Sequence, residues 1–189
     1  MVPGMIVSSF NLVVFDQSPP AAVLEEMAAL DRAAVSEFGR EYASESWGVE
    51  SFARSLPHKW ALSRYCVDSR TGKICGFWVA SMAVAGIVHT HRVAIKAGMR
   101  GQGLGQLLFE EVRKAAWNEG GREMTLFVAA SNEPARRFYE RLGFRPLAGS
   151  ELHEMMRRTG RPGTVDGNVV RIGGEALEMW WREVGEDKV

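Results

Sequence analysis

The sequence has no excess of either charge and no long hydrophobic run. Lys plus Arg number 23 and Asp plus Glu number 23, so the formal net charge is +0. Without a positive surplus the chain does not attract polyanions as a whole, and nucleic acid is not a favoured partner. The longest apolar stretch, residues 77–88, is interrupted by Ser81 and Gly86. It falls short of the roughly 20 apolar residues that a membrane-spanning helix needs, so no membrane association is expected.

Cysteine is also scarce, with only Cys66 and Cys75 in the chain. They do not form a C-x-x-C pair and have too few His or Cys neighbours for a zinc site, so no metal site is expected. Both are expected to be buried thiols in a reducing compartment. No Lys or Arg precedes Arg32, so the basic region of a secretory signal peptide is missing. These features predict a cytoplasmic protein.

The hydrophobic pattern predicts one mixed domain over residues 1–189. The 46% hydrophobic and 24% charged composition suits a single globular core. Runs rich in β-branched and aromatic residues predict strands at 11–15, 60–67, 74–84, 87–95, 124–130 and 176–184. Apolar residues at helical spacing predict helices at 23–38, about 46–52, 104 to the Gly120-Gly121 break, and 135–142.

A glycine-rich loop, RGQGLG at residues 100–105, joins the strand ending at Ile95 to the following helix. Such a loop binds phosphate, because its unpaired N–H groups and the helix dipole point at the ligand. It is not a P-loop, since no Lys-Ser or Lys-Thr follows the glycines. It is not the G-x-G-x-x-G dinucleotide loop either, since these glycines run G-x-G-x-G. A merely flexible turn is the remaining alternative.

Two segments together resemble a known family. Arg100-x-x-Gly103-x-Gly105 is similar to the Q/R-x-x-G-x-G/A pyrophosphate loop of the GCN5-related N-acetyltransferases (GNAT), and Val93-Ala94-Ile95 is similar to the strand before it. The run SNEPARRFYERLGF at 131–144 resembles the second family signature. The resemblance is clear from about residue 74 to 145. It implies a GNAT fold, with a mixed, mostly antiparallel sheet of six to seven strands, splayed at the cofactor site and flanked by about four helices.

The resemblance implies acetyl-CoA as cosubstrate and assigns residues to it. The backbone amides of Arg100, Gly101, Gln102, Gly103, Leu104 and Gly105 would hold the pyrophosphate, with Arg136 as an additional phosphate contact. Val93 and Ile95 would pair with the pantetheine arm, and the Ile95 N–H would face the thioester oxygen. Asn132 would contact the pantetheine, although it also suits the N-cap of the next helix. Tyr139 would protonate the departing thiolate, the alternative being a half-buried aromatic.

The sequence departs from the family pattern at three places. Ala97 stands where a proline is common, His89 stands where an acidic residue is common, and residues 150–174 form an insertion bearing Arg and Gly. Strand alternation places His89 on one face with Ile87, His91, Val93 and Ile95. The hypothesis is that His89, with its ordinary pKa of about 6.5, takes the proton from the acceptor amine. His91 is the reserve candidate, with Glu50 behind it, and a strand histidine satisfied by a hydrogen bond is the alternative.

The acceptor is left open between a small-molecule amine and a protein N-terminal amine. Trp47 with Glu50 and Phe52 resembles the W-x-x-x-x-F region of acetyltransferases acting on protein N-termini, of the ribosomal-protein-alanine type, although core packing explains Trp47 and Phe52 equally well. Two other functions remain alternatives: a catalytically silent acyl-CoA-binding module, and a toxin that acetylates aminoacyl-tRNA. A homodimer through the C-terminal strand also stays open.

Overall fold

The structure is a computed structural model of the chain, and it describes residues 10–15, 17–39, 42 and 45–185. Within these ranges it contains six helices: α1 (Ala21–Phe38), α2 (Val49–Ala53), α3 (Lys59–Leu62), α4 (Leu104–Asn118), α5 (Glu133–Arg141) and α6 (Gly149–Thr159). In the same ranges, no helix has the length and apolar character needed to cross a membrane.

Nine strands form one sheet over the described residues: β1 (Phe10–Val14), β2 (Arg64–Asp68), β3 (Ile74–Val84), β4 (Ile87–Ile95), β5 (Glu123–Ala129), β6 (Arg145–Pro146), β7 (Thr164–Asp166), β8 (Val169–Ile172) and β9 (Glu175–Glu183). Their spatial order is β1-β2-β3-β4-β5-β9-β8-β7, and β6 pairs with β9. Among the described strands, only β4 and β5 pair in parallel. A mixed, mostly antiparallel sheet is therefore confirmed.

The expected numbers of strands and helices are too low. The additional helices are α3, a four-residue helix before β2, and α6, which has 11 residues. The additional strands are β6, β7 and β8, and α6 and the β7–β8 hairpin lie largely within the insertion at 150–174. The insertion is thus folded, and its hairpin extends the sheet beyond β9. Leu152, Met155 and Met156 of α6 pack with Ile87 of β4 and Met179 of β9, so the insertion adds its own buried cluster.

Helices cover both faces of the sheet. On β3, Trp78 and Ala80 pack in the cluster that contains the buried residues of α4, and this side is called the α4 face below. Their neighbours Phe77 and Val79 pack against α1 and α2 on the opposite side, called the α1 face. The period-2 alternation of a strand that is buried on both faces from Ile74 to Met82 produces this division. Helix α5 also lies on the α4 face, through Phe138 and Tyr139.

The strand predicted from residue 60 begins only at Arg64, because residues 59–62 form α3. His58, immediately before α3, has a left-handed backbone with φ of 57°. The Lys59 ammonium turns inward and donates hydrogen bonds to the carbonyl oxygens of Phe52, at 2.5 Å, and Arg54, at 2.7 Å. These bonds cap the end of α2 and fix the turn, a long-range constraint that β propensity does not reveal.

The two cysteines are buried and free, as predicted. Burial, together with the neighbouring Cys75, raises the pKa of Cys66 to about 12. Burial also raises the pKa of Cys75. Both side chains are therefore thiols at neutral pH, a poor state for a nucleophile.

Candidate active site

The sheet opens between β4 and β5. The two strands pair only from Ile87 to Thr90 and from Glu123 to Leu126. Beyond these residues β4 continues beside β3, whereas β5 continues beside β9. The gap leads into a cavity of about 770 Å³. A strand pair that separates leaves backbone N–H and C=O groups facing the gap, where an extended ligand can pair with them.

The cavity passes through the sheet from one face to the other. Leu104, Phe138 and Tyr139 line it from the α4 face, and Ala34 and Phe38 of α1 line it from the α1 face. Two ligands can therefore meet in the gap from opposite sides. This arrangement suits a transfer reaction between two substrates.

The glycine-rich loop lies at one end of this cavity. Gly101 and Gly103 have positive φ values of 73° and 80°, which favour glycine, and Gly103 is the N-cap of α4. Gly105 has a packing role, because an added Cβ would lie 2.9 Å from Cζ of Phe138. Gly101, Gly103 and Gly105 all line the cavity. The N-terminus of a 15-residue helix thus faces the space where a phosphate would lie.

Arg100 lines the cavity, but its charge is already paired. Its guanidinium forms two hydrogen bonds with the Glu37 carboxylate, at 2.5 and 2.9 Å, and lies over the Phe38 ring. Its Nε donates to the carbonyl oxygen of Ile95 at 3.0 Å. Arg100 therefore also holds the end of β4 against α1.

The other residues assigned to the cofactor divide into two groups. Val93, Ile95, Leu104 and Asn132 line the cavity. The Oδ1 atom of Asn132 accepts a hydrogen bond from the Ala135 N–H at 3.0 Å, so the N-cap role is confirmed. Gln102 and Arg136 are not among the described residues that line the cavity.

The side chains of Gln102 and Arg136 are engaged elsewhere. The Gln102 amide donates to the Gly98 carbonyl oxygen at 3.0 Å. Arg136 pairs with Glu133 at 2.6 Å and with Glu178 at 3.1 Å. Their contacts with the cofactor stay predictions, and Gln102 would make its contact through the backbone.

Tyr139 lies on the cavity wall at the α4 face. Its ring makes edge contacts with Trp78 and Phe144, at centroid distances of 6.3 and 5.8 Å. Burial raises the pKa of its hydroxyl. The group therefore keeps its proton at neutral pH and can donate it to an anion formed in the cavity.

A β-bulge in β4 changes the predicted strand faces. Val79 of β3 pairs with Arg92 and Ala80 pairs with Thr90, so His91 is the additional residue on β4. Val93 and Ile95 consequently pack on the α4 face. Ile87 packs with α6 on the opposite face. The prediction that His89 shares a face with Val93 and Ile95 is wrong, because the bulge reverses the alternation.

The two histidines of β4 have different positions relative to the cavity. His91 lines it, and its Nε2 lies 2.7 Å from Oγ of Ser81. His89 lies behind His91, is 5% exposed, and places Nδ1 2.9 Å from Oγ1 of Thr125. Among the described residues that line the cavity, His91 is the only histidine.

Neither imidazole keeps the ordinary pKa assumed from the sequence. Burial, followed by the charge of Arg161, lowers the pKa of His91 to about 3. Burial and Arg161 also lower the pKa of His89 well below its usual value. Both rings are therefore neutral at pH 7 and can accept a proton, although they hold it weakly.

A largely buried network beside His91 was not predicted, and two of its members, Tyr42 and Arg92, also line the cavity. Asp31 of α1 is completely buried and accepts hydrogen bonds from the Tyr42 hydroxyl at 2.5 Å and from the backbone N–H of Trp47 at 2.6 Å. Arg92 pairs with Asp31 at 3.2 Å and lies over the rings of Tyr42 and Trp47. Asp31 and Arg92 lie 61 positions apart, so no local sequence pattern could have predicted this pair.

The aromatic pair near α2 has mixed roles. Phe52 is 1% exposed and contacts Trp47 at a centroid distance of 5.3 Å, so it is a core residue. Trp47 also contacts the His91 ring at 6.2 Å, directly behind the cavity wall. Glu50 is exposed on α2 and is not among the described residues that line the cavity.

Comparison with known proteins agrees with this geometry. The sequence model of the acetyltransferase (GNAT) family matches residues 30–144, more than half of the chain. A Bacillus subtilis (strain 168) protein, itself provisionally named a ribosomal protein bS18-alanine N-acetyltransferase, is 30% identical over 128 residues, which cover 66% of this chain and 82% of that protein.

Solved structures share the fold at low sequence identity. Ard1 from Thermoplasma volcanium is 16% identical with a TM-score of 0.66, over 94% of this chain and 99% of that one. The ribosomal-protein-S18-alanine N-acetyltransferase from Escherichia coli is 18% identical with a TM-score of 0.61, over 95% and 98%. At these identities the likeness is one of fold.

Proposed function

The chain belongs to the acetyltransferase (GNAT) family, and from this premise we propose that it transfers the acetyl group of acetyl-CoA to a primary amine. The observation that carries the proposal is the cavity between β4 and β5, which has a glycine-rich helix N-terminus at one end and Tyr139 on its wall. N-acetyltransferase activity is the common property of the family. The cosubstrate, the residue roles and the acceptor are the proposed parts.

The chain's residues fit the cosubstrate on chemical grounds. The N–H groups of residues 100–105 would bind the pyrophosphate, helped by the dipole of α4. Val93 and Ile95 would pair with the pantetheine amides through the backbone that β4 leaves unpaired on the side of the gap. Asn132 can cap α5 and contact the pantetheine together, because its side chain has both an acceptor oxygen and donor N–H groups. Arg136 would contribute little charge, since two carboxylates neutralise it.

In the reaction the amine nitrogen forms a bond to the thioester carbonyl carbon, and the C–S bond breaks. The Ile95 N–H would donate to the carbonyl oxygen while it carries negative charge. The Tyr139 hydroxyl would give its proton to the departing thiolate and regain one from solvent. Neither cysteine takes part, because direct attack needs no covalent enzyme intermediate.

The amine must lose one proton to complete the transfer. His89 was the first candidate base, but His91 is the histidine on the cavity wall, so we assign the first acceptance of the proton to His91. With a pKa of about 3, His91 would pass the proton quickly to water rather than retain it. His89 and Ser81 would orient the His91 ring from behind.

The acceptor proposed first is a protein N-terminal amine of the ribosomal-protein-alanine type. The 30% identity to the Bacillus subtilis protein supports this choice over a small-molecule amine. An α-amino group also has a pKa of about 8, so a useful fraction is uncharged at neutral pH, which a weak base such as His91 requires.

One assay tests the proposed activity. Purified protein with acetyl-CoA is given a panel of N-terminal peptides and small amines, and CoA release is measured against the background without amine. Amine-dependent release together with an acetylated product supports the proposal. Tight binding of acetyl-CoA without release for any amine in the panel would instead indicate a silent acyl-CoA-binding module.

A further inference from the structure

Glu175 is the only carboxylate among the described residues that line the cavity. It begins β9, after the turn Gly173-Gly174 that joins β9 to β8. Both glycines have positive φ, 57° and 85°, as tight two-residue hairpins require, and Ile172 pairs directly with Glu175. The hairpin therefore fixes the position from which the Glu175 side chain enters the cavity.

One oxygen of Glu175 has no internal partner. Its Oε1 atom is buried and forms no hydrogen bond within the described part of the chain. A buried carboxylate oxygen without a donor is unfavourable, and such groups in native proteins usually have a functional explanation. Three arginines line the cavity, and none of them forms an ion pair with Glu175 in the described part of the chain. Arg92 and Arg100 pair with Asp31 and Glu37 instead.

Glu175 lies on the side where a second substrate would approach. By strand alternation it shares the α1 face with Leu177 and with Met179, which packs against α6. The glycine-rich loop and Tyr139 lie with the α4 face instead. Leu177 pairs with Ala129, and Glu175 lies two residues further from the closed end of the gap, about 7 Å along the strand.

This position separates Glu175 from the reacting amine. The reacting nitrogen must be uncharged to attack the thioester, whereas a paired carboxylate favours the charged form of an amine. A carboxylate near the entrance of the gap therefore suits a group that stays protonated. We infer that Glu175 binds a second cationic group of the acceptor, one that lies beyond the amine that is acetylated.

This inference rests on the proposed acetyl transfer and narrows its substrate class. The acceptor would be a diamine, or a peptide with Lys or Arg shortly after its N-terminal amine. Both would present a cationic group to the Glu175 carboxylate. Matched substrate pairs distinguish a diamine from a peptide as the acceptor.

The test compares wild type, Glu175→Gln and Glu175→Asp with two pairs of acceptors. Pentylamine is matched with 1,5-diaminopentane, and an Ala-Leu peptide series is matched with the same series carrying Lys at the second or third position. For wild type we expect a KM about tenfold lower for the cationic member of at least one pair, as a charge-assisted hydrogen bond provides. The pair in which the KM values differ shows whether the acceptor is a diamine or a peptide.

In Glu175→Gln the preference should shrink to within about twofold, and Glu175→Asp should retain part of it. Glu183→Gln is the matched control, because it removes the same charge from an exposed position on the same strand. Glu175 is half-buried, and its buried Oε1 atom has no hydrogen-bond donor in the described part of the chain. Because Glu175→Gln removes this unpaired charge, its Tm should equal or exceed that of wild type. A structural role for Glu175 would instead lower the Tm and raise the KM of both members of a pair equally.

A binding readout keeps this inference distinct from the proposed activity. Titration calorimetry of the same compounds into CoA-saturated wild type and Glu175→Gln measures the cationic preference without turnover. A preference that survives in Glu175→Gln, or that is absent from wild type, overturns the inference. Absence of CoA release with every amine would overturn the proposed activity alone, because the calorimetric comparison would still decide the role of Glu175.

Discussion

The rings of His89 and His91 make an edge contact, with their centroids 5.0 Å apart, although the bulge at His91 interrupts the strand between them and Val93. Only the outer ring, that of His91, reaches the cavity. The inner ring is held by Thr125. His91 can therefore contact a substrate, and His89 can hold the His91 ring in position.

The first prediction follows from this difference. His91→Gln should lower kcat/KM for the amine by about tenfold, less than the 10²- to 10⁴-fold typical of a general base, because a base with a pKa of about 3 accepts a proton weakly. His89→Gln should have a smaller effect, because His89 acts through His91. Both variants should bind acetyl-CoA with wild-type affinity by calorimetry. A larger loss in His89→Gln than in His91→Gln would return the role of base to His89.

The pH profile provides an independent check on the same assignment. Because the pKa of His91 is about 3 and that of His89 is also low, neither ring titrates near pH 6.5. The rise of kcat/KM with pH should therefore follow the amine itself, near pH 8 for an α-amine. A rise of kcat/KM near pH 6.5 that is present in wild type and absent from His91→Gln would contradict the low pKa of His91.

A second prediction concerns the proton given to the thiolate. Tyr139→Phe should lower kcat by about 10²-fold with an unchanged dissociation constant for acetyl-CoA, because the ring contacts with Trp78 remain and only the acid is lost. Tyr65→Phe, on β2 and outside the described cavity lining, is the matched control. Equal losses of binding and kcat would make Tyr139 structural, and an unchanged kcat would show that the thiolate takes its proton from water.

A third prediction tests the glycine-rich loop. Gly103→Glu should abolish acetyl-CoA binding, because it places a negative charge at the N-terminus of α4, where the phosphates would lie. Gly103→Ala separates charge from backbone strain: its Cβ meets open space, so only the φ of 80° is unfavourable, at about 1 kcal/mol. Undiminished binding by Gly103→Glu, or preference of the wild type for NAD or ATP, would remove the basis of the cofactor assignment.

The sequence predicted those parts of the site that depend on local order. The strand from Ile87 to Ile95, the loop at 100–105 and the helix after it all lie where the pattern placed them. The bulge at His91 could not be predicted, because all residues of β4 are compatible with a regular strand. An additional residue in such a run does not change the sequence pattern. Glu175 was missed because it follows the insertion, outside both family motifs.

The Asp31–Arg92 pair is the basis of a fourth prediction. Asp31→Ala removes the acceptor for Tyr42, Trp47 and Arg92 together, and should lower the free energy of unfolding by about 3–5 kcal/mol, as expected for breaking a buried ion pair. Asp31→Asn should be less destabilising, since one oxygen remains. Asp166→Ala is the control: its pair with Arg171 is exposed, so its effect should stay within about 1 kcal/mol in urea titrations.

The last prediction is a loss of stability in acid that originates in the two histidines. In the folded protein their pKa values lie below the usual 6.5, and that of His91 is about 3. Between pH 6.5 and 3 the unfolded chain therefore binds protons at these side chains that the folded chain does not. Stability should be fully present above about pH 6.5 and should fall as the pH falls, by up to about 1.4 kcal/mol per pH unit for each histidine.

Urea unfolding of wild type and His91→Gln at pH 5, 6, 7 and 8 measures this loss. The variant should lose less stability between pH 7 and pH 5, by about 2 kcal/mol, because one titrating imidazole is gone. His153→Gln is the matched control, since His153 is exposed on α6. Because Arg161 lowers the pKa of both histidines, Arg161→Gln should also reduce the acid sensitivity. An acid limb of the same slope in wild type and His91→Gln would show that the histidines do not cause it.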